Sequence, residues 1–354
     1  MSALFTPLRL RSVELRNRIA LSPMCQYAAR DGRPGDWHLV HLGSRALGGA
    51  GLVIVEATAV VPEGRITPAD LGLWSDEQIE PFRRITAFLT EHGAVPGIQL
   101  AHAGRKAATD LPWRGGRPLP AGAGGWQTVA PSPLPFDDDW PEPRQLTAEE
   151  CAGLPASFAA AAVRARDAGF RLVELHFAHG YLVHQFLSPL SNRRGDGWGG
   201  DLVGRTRLAG AIVAAVRAAW GEELPLLVRI SATDWAEGGW DLASSIALAR
   251  ELAGRGVDLV DCSSGGLVPR ARVPVAPGYQ VPFAEAIRRD AGVATGAVGL
   301  VTDPEQAEAI VAAGQADLVL LGRQLLREPH WPLRAAAALG AETRWPERYL
   351  RAKP

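Results

Sequence analysis

The chain has 354 residues, with 37 Lys and Arg against 38 Asp and Glu and a formal net charge of −1. That balance leaves no basic surplus to neutralise a phosphate backbone, which excludes an ordinary nucleic-acid binder. No uncharged apolar run approaches the roughly 20 residues needed to span a bilayer, and Met1 to Pro7 lacks a basic region followed by an apolar stretch, so a protein without a membrane partner is expected. Cys25, Cys151 and Cys262 are too few and too scattered for a disulfide framework, a four-thiolate iron–sulfur cluster or a zinc ribbon, and a reducing cytoplasm is the expected compartment.

In chain order, an alternating stretch (Leu8, Leu10, Val13, Leu15) predicts a hairpin. After it one pattern recurs eight times: a brief apolar run, a loop, then an amphipathic helical stretch. The strands are expected at Arg18 to Pro23, Gly51 to Ala57, Val95 to Leu100, Leu172 to His176, Leu226 to Ser231, Leu259 to Cys262, Val293 to Val298 and Leu318 to Leu321. Helical stretches follow, among them Asp76 to His92, Leu202 to Trp220, Leu242 to Ala253 and Pro304 to Ala313, the last with Asp303 and Pro304 as N-cap and first turn. Gly93, Gly169, Gly256 and Gly314 fall where a left-handed C-cap favours glycine. Strand alternating with helix implies parallel strands and right-handed crossovers, and eight units close a (β/α)₈ barrel. The expected fold class is therefore α/β, a single TIM barrel over residues 1–354, with an open doubly wound sheet as the competitor.

Two connections, Ala101 to Thr147 after the third strand and His179 to Asp201 after the fourth, exceed simple turns and fall on the C-terminal face, where barrel active sites are built. The first, rich in proline, glycine and tryptophan, suits a lid or a pocket wall. Polar residues gather at the strand ends: Met24 and Cys25, Ala57 and Thr58, Gln99 and His102, His176 and His179, Arg229, Ser263 and Ser264, Gly299, and Gly322 with Arg323. Alternation puts Leu172, Glu174 and His176 on one face, as it does Gly97 with Gln99 and Leu227 with Arg229, so all can point into the barrel. A histidine, a glutamine and an arginine aimed at one mouth are hard to satisfy without a ligand. Gly296 and Gly299 around the seventh strand, with Gly322 and Arg323 after the eighth, occupy the usual barrel phosphate position, where backbone N–H groups approach closely and a guanidinium adds charge.

The run Ser22 to Tyr27 (SPMCQY), together with His176 to Tyr181 (HFAHGY), resembles the Old Yellow Enzyme family. The resemblance continues through Gln99 to Lys106 (QLAHAGRK), Pro189 to Asn192 (PLSN), Arg229 to Trp235 (RISATDW), Gly278 to Phe283 (GYQVPF) and Leu321 to Pro329 (LGRQLLREP), covering nearly the whole chain. The cysteine and tyrosine of the first motif and the short C-terminus resemble the bacterial thermophilic-like subgroup. The resemblance implies one noncovalent FMN across the barrel mouth, its ring meeting Pro23, Met24, Cys25, Ala57, Gln99 and Arg229, its phosphate meeting Gly299, Gly322 and Arg323. Cys25 resembles the cysteine that modulates the flavin. His176 and His179 resemble the pair that hydrogen-bonds the oxygen of an enone, enal, maleimide or nitroalkene while hydride reaches the β-carbon. Tyr181 resembles the proton donor, and Tyr27 adds a hydrogen bond to substrate. The implied reductant is NADPH or NADH, used at the same site, which agrees with the lack of a glycine-rich dinucleotide fingerprint.

Arg351, with Tyr349 before it, resembles the subgroup's C-terminal arginine that enters a neighbouring subunit, so residues 341–354 imply a homodimer or homotetramer. Here the chain departs from some relatives by ending Ala352, Lys353, Pro354 without an aromatic residue. Two other readings stay open on the residues alone. One is a metal-dependent barrel hydrolase using His176 and His179, although the nearest further donors, Glu174, His184 and Asp196, form no recognised ligand set and no metal is expected. The other is a flavin-binding protein without turnover.

Overall fold

The computed structural model describes residues 2–353. Strands β1 (Leu8–Leu10) and β2 (Val13–Leu15) pair antiparallel as the alternation predicts, burying Leu8, Leu10, Val13 and Leu15. Arg11 at the hairpin tip pairs with Glu222 and Asp258, which precede barrel strands, so the hairpin covers the N-terminal end of the barrel.

The eight remaining long elements are β3 (Ile19–Leu21), β4 (Leu52–Ala59), β5 (Val95–Ala101), β8 (Leu172–Phe177), β9 (Leu226–Ser231), β10 (Leu259–Ser263), β11 (Ala294–Ala297) and β12 (Leu318–Leu321). They form a closed barrel in chain order, every neighbour parallel, with β12 returning to β3. The doubly wound alternative is thereby excluded. Helices α1 (Asp36–Leu47), α2 (Ile79–Glu91), α3 (Ala148–Asp167), α5 (Leu202–Trp220), α6 (Leu242–Gly254), α7 (Val281–Ala291) and α8 (Pro304–Ala312) form the outer layer. Their starts are written in side chains: Thr147, Asp201, Asp241 and Asp303 each accept a hydrogen bond from the first helical turn. Gly93, Gly169, Gly256 and Gly314 take φ of 75°, 88°, 96° and 69°, as expected after helices.

Several boundaries differ. The first barrel strand is only Ile19–Leu21, because after the Ser22 N–H reaches the Leu321 carbonyl at 3.1 Å, Pro23 has no N–H to continue the ladder and the chain enters the mouth, and the seventh is Ala294–Ala297. The helix expected from Asp76 opens as a 3-10 turn, Asp76–Gln78, because the Gln78 amide oxygen folds back onto the Trp74 and Ser75 N–H groups. The connection after β8 is not a plain loop but contains α4 (Leu182–Leu187). The one after β5 carries a short parallel ladder, β6 (Val129–Ala130) with β7 (Arg144–Gln145). That long connection is pinned to the β4–α2 loop, where the Arg65 guanidinium lies between the rings of Trp74 and Trp126, 5.4 and 5.0 Å from their centroids.

Candidate active site

The ends of β3, β4, β5, β8 and β9 bring the expected residues to one mouth. On β4 a bulge at Glu56 shifts the register so that Ala57 stands opposite Gln99. The bulged carboxylate accepts the Gln26 N–H at 3.0 Å and so fixes the Pro23–Tyr27 segment, in which Tyr27 has φ of 53°. Gln99 and Glu174 are paired across β5 and β8, and the Gln99 amide donates to Glu174 at 2.8 Å. Arg229 lies 3.1 Å from Asp261 of the adjacent strand and donates to the Ser22 hydroxyl at 3.2 Å, tying β9 to β3. Burial raises the Glu174 and Asp261 carboxyls above the usual carboxylate range, Asp261 raises Glu174 further, and Arg229 pulls both back. One guanidinium thus faces two fully buried carboxyls that compete for it. Oε2 of Glu174 has no hydrogen-bond partner among the described residues.

The β8 end carries two histidines and a tyrosine in mutual edge contact: His176 lies 5.1 Å from His179 and 5.0 Å from Tyr181, ring to ring. Burial first, then the charge of Arg229, holds both imidazoles well below the usual histidine value, so both are neutral at pH 7. The Ala178 N–H donates to Nδ1 of His176 at 3.3 Å, which puts the proton on Nε2. Nε2 of His179 is 2.7 Å from the Ser263 hydroxyl. The Ser264 hydroxyl supplies Gln280 Oε1 at 2.6 Å, against 3.5 Å from the Ser263 hydroxyl, so the Ser263 proton goes to its shorter contact with His179 and leaves the imidazole proton on Nδ1. Each ring can therefore present one N–H to a ligand oxygen. Burial, with Cys25, Tyr27 and Asp70 nearby, raises Tyr181 well above the ordinary phenol value and keeps its proton in place.

The backbone under these rings is held from several sides. His179 has φ of 60°, a left-handed conformation that a non-glycine residue rarely adopts. Its N–H donates to the Ser231 hydroxyl at 2.9 Å, and its carbonyl accepts from Nζ of Lys106 at 2.9 Å. The same ammonium reaches the Gly266 carbonyl at 3.0 Å and lies 4.6 Å from the Phe136 ring and 5.2 Å from the Tyr181 ring. Lys106, Ser231 and Phe136 were not singled out by sequence. The first two lie inside the QLAHAGRK and RISATDW motifs, which was the signal available. On the other side Trp113, from the long β5 connection, stands edge-on to Tyr27 at 5.9 Å.

Cys25 is a thiol rather than a thiolate: burial first, then the charges of Asp70 and Glu56, raises it well above the ordinary value. At the opposite end of the mouth a cavity of about 160 Å³ is lined by Arg229, Tyr279, Gly299, Gly322, Arg323 and Arg327, among others. A Cβ at Gly299 would come within 2.8 Å of Gln280 Nε2, and its φ of 123° suits glycine alone. A Cβ at Gly322 would meet the Met24 sulfur at 3.4 Å.

Two expectations are corrected. His102 is not a mouth residue: its Nδ1 accepts the Gly104 N–H at 3.0 Å and its ring packs under Gly64. Gly296 serves packing, since a Cβ there would strike Leu320 at 2.5 Å inside the barrel. Arg351, expected in the mouth of a neighbouring subunit, does not approach its own. It lies exposed on the turn Glu347–Ala352, whose Arg348 and Tyr349 line a cleft with Arg16, Phe88 and His92 at the C-terminal ends of α1 and α2, the opposite end of the barrel.

Among the described residues, no group of three or more His, Cys, Asp or Glu side chains is arranged to hold a metal ion. No helix is long and apolar enough to cross a membrane. Residues 3–342 match the NADH:flavin oxidoreductase / NADH oxidase family. The chain belongs to that family, the Old Yellow Enzyme family, and is an oxidoreductase. It is 49% identical to a protein named NADPH dehydrogenase from Listeria innocua, over 99% of each chain, and 48% identical to one from Geobacillus sp., over 95% of this chain and 94% of that one. Morphinone reductase has the same fold, with a TM-score of 0.80 and 29% identity over 98% of this chain and 92% of its own.

The cofactor of the Old Yellow Enzyme family is FMN, reduced by a nicotinamide nucleotide. The residues present fit it. A flat ring system laid over Ala57, Gln99 and Arg229 would find an amide and a buried guanidinium, and a phosphate would find the glycine-lined cavity with Arg323 at its edge.

Proposed function

We propose that the protein is an ene-reductase that takes electrons from NADPH, or from NADH, and delivers them to the C=C bond of an activated alkene such as an enone, enal, maleimide or nitroalkene. When bound, FMN supplies the hydride that reaches the β-carbon. The observation that carries the reading is the pair of neutral imidazoles, His176 and His179, each with one free N–H, beside a phenol whose proton is held firmly.

Two N–H donors hold the carbonyl or nitro oxygen of the substrate and strengthen as negative charge gathers on it, which lowers the barrier without trapping the ground state. Tyr181 delivers the proton to the α-carbon, and Tyr27 adds a hydrogen bond at the substrate. Pro23, Met24, Cys25, Ala57, Gln99 and Arg229 bind the flavin ring. The Gln99 amide, oriented by Glu174, serves the pyrimidine edge, and Arg229 favours the electron-rich reduced form. Gly299, Gly322 and Arg323 hold the phosphate. Arg351, exposed at the far end of its own barrel, enters the mouth of a second copy in a homodimer or homotetramer. Three free cysteines agree with a cytoplasmic setting.

The test is an anaerobic visible spectrum of the holoprotein before and after NADPH, followed by 2-cyclohexenone. Flavin absorbance that bleaches and then returns is expected. Absorbance that bleaches and stays bleached with enones, maleimides and nitroalkenes alike overturns the alkene-reducing assignment.

A further inference from the structure

Beneath the turn Ala178–Tyr181 lies a polar chain that touches neither substrate nor flavin position. His184, fully buried on α4, accepts the Gly180 N–H on its Nδ1 at 2.9 Å. Its Nε2 is 2.9 Å from Oδ1 of Asp234, also fully buried, in a contact that is close but bent from the ideal line. Oδ2 of Asp234 accepts the Ser188 hydroxyl at 2.6 Å and the Trp240 N–H at 2.7 Å. The chain therefore runs from a backbone N–H of the catalytic turn, through an imidazole, to a carboxylate anchored in the loop after β9.

Its chemistry permits one proton arrangement. An Nδ1 that accepts a backbone N–H carries no hydrogen, so the single imidazole proton sits on Nε2, facing the carboxylate. Moving that proton to Nδ1, or adding a second, would set N–H against N–H at Gly180. Asp234 is held as the acceptor this tautomer requires, because its other oxygen already takes the Ser188 hydroxyl and the Trp240 N–H.

The turn it anchors is tight. His179 and Gly180 are consecutive left-handed residues, with φ of 60° and 73°, and a Cβ on Gly180 would lie 2.2 Å from the Gly266 carbonyl. The peptide between them is attached directly to His179 and lies one residue before Tyr181, and a tilt of that peptide swings both side chains. We infer that His184 and Asp234 are positioning residues for alkene reduction: Asp234 fixes the His184 proton on Nε2, and the bare Nδ1 pins Gly180, setting the directions of His179 and Tyr181 together. The inference rests on the alkene-reducing reading above. It also accounts for Asp234 of the RISATDW motif and Ser188 beside PLSN, neither of which the reaction uses directly.

The test is Asp234→Asn in the holoenzyme, an isosteric change. The Asn oxygen stays with Ser188 and Trp240, so its NH₂ faces Nε2 and drives the imidazole proton to Nδ1. Four readouts are expected with the flavin spectrum and thermal midpoint near wild type. Anaerobic reoxidation by 2-cyclohexenone slows about 10-fold to 100-fold and affinity for p-hydroxybenzaldehyde weakens, whereas flavin reduction by NADPH and reoxidation by dioxygen change by less than about threefold. Equal losses in all rates would make the pair a general stabiliser and overturn the inference, as would unchanged reoxidation and phenol binding. Should the variant fail to fold, ¹⁵N-histidine NMR of the wild-type holoenzyme decides, with the His184 signal identified by its loss in His184→Asn. A proton on Nε2 is expected, and one on Nδ1 overturns the proposal. If wild-type enzyme reduces no alkene, the alkene-reducing reading fails, while phenol affinity and the tautomer still test the positioning of His179.

Discussion

His179 is held at its N–H by Ser231, at its carbonyl by Lys106 and at its ring by Ser263, whereas Arg323, across the mouth, is exposed and makes no side-chain hydrogen bond or ion pair among the described residues. The two ends of one site are thus built to different tolerances. At the histidine end, donors must already point at an oxygen whose charge exists only in the transition state, and a short-lived charge cannot organise its own surroundings. At the glycine end the expected guest is a phosphate that stays bound, and a resident dianion can gather a flexible guanidinium to itself. Damage to the first end should appear in rates, and damage to the second in cofactor retention.

The largest effect is expected from Tyr181→Phe. Removing a positioned general acid typically costs about 10² to 10⁴ in rate. Stopped-flow reoxidation by an enone should show that loss, while flavin reduction by NADPH keeps its rate. A variant slowed in reduction but not in reoxidation would remove Tyr181 from the proton-donor role.

Gly299→Ala comes next and probes the other end. The substitution forces a Cβ to within 2.8 Å of Gln280 Nε2 at a φ of 123°, and such backbone strain costs about 1 to 3 kcal/mol. FMN affinity should fall about 5-fold to 150-fold by titration of the apoprotein, with turnover of the fully loaded enzyme little changed. Arg323→Ala should be milder, about 10-fold in FMN affinity from one charge-assisted contact at an exposed position, with no change in apoprotein stability. A loss of turnover at saturating FMN, in either variant, would break the separation of the two ends.

The contrast also explains what could be read in the sequence. Strand and helix periods and the cap at Asp303 are local signals that the structure repeats, and Cys25, Gln99, His176 and Arg229 were legible as residues on strands or just past their ends. The supports of the turn were not legible, because they are relations between strands. Ser231 reaches His179 only because β9 lies beside β8, and Asp234 reaches His184 across a gap of 50 positions. The bulge at Glu56 and the helix Leu182–Leu187 were missed for a related reason: both follow from how the chain must bend to enter the mouth, not from any periodicity. Arg351 is the reverse case, a residue placed by family resemblance whose own chain carries it away from its own mouth.

The smallest expected effect is in the pH profile, and it sharpens the account of the histidine end. Both imidazoles are held well below the ordinary histidine value, so they remain neutral as pH falls through 6.5, and Tyr181 is raised, so it keeps its proton at high pH. Asp70, pushed up to about 7, is turned onto the Thr67 hydroxyl and the Ile66 and Thr67 N–H groups and donates nothing to the mouth. Lys106 is different: burial and Arg105 bring it down to about 8, so its ammonium is complete below that value and is lost as pH rises through it. A neutral amine still donates to the His179 and Gly266 carbonyls but no longer holds them by charge. Alkene-driven reoxidation should therefore be flat from about pH 6 to 7.5 and decline about twofold to threefold around pH 8. Lys106→Met should abolish that decline and give a lower plateau. A falling rate on the acid side, centred near 6.5, would mean that one of the two histidines titrates normally. The neutral donor pair could then not be the source of oxyanion stabilisation.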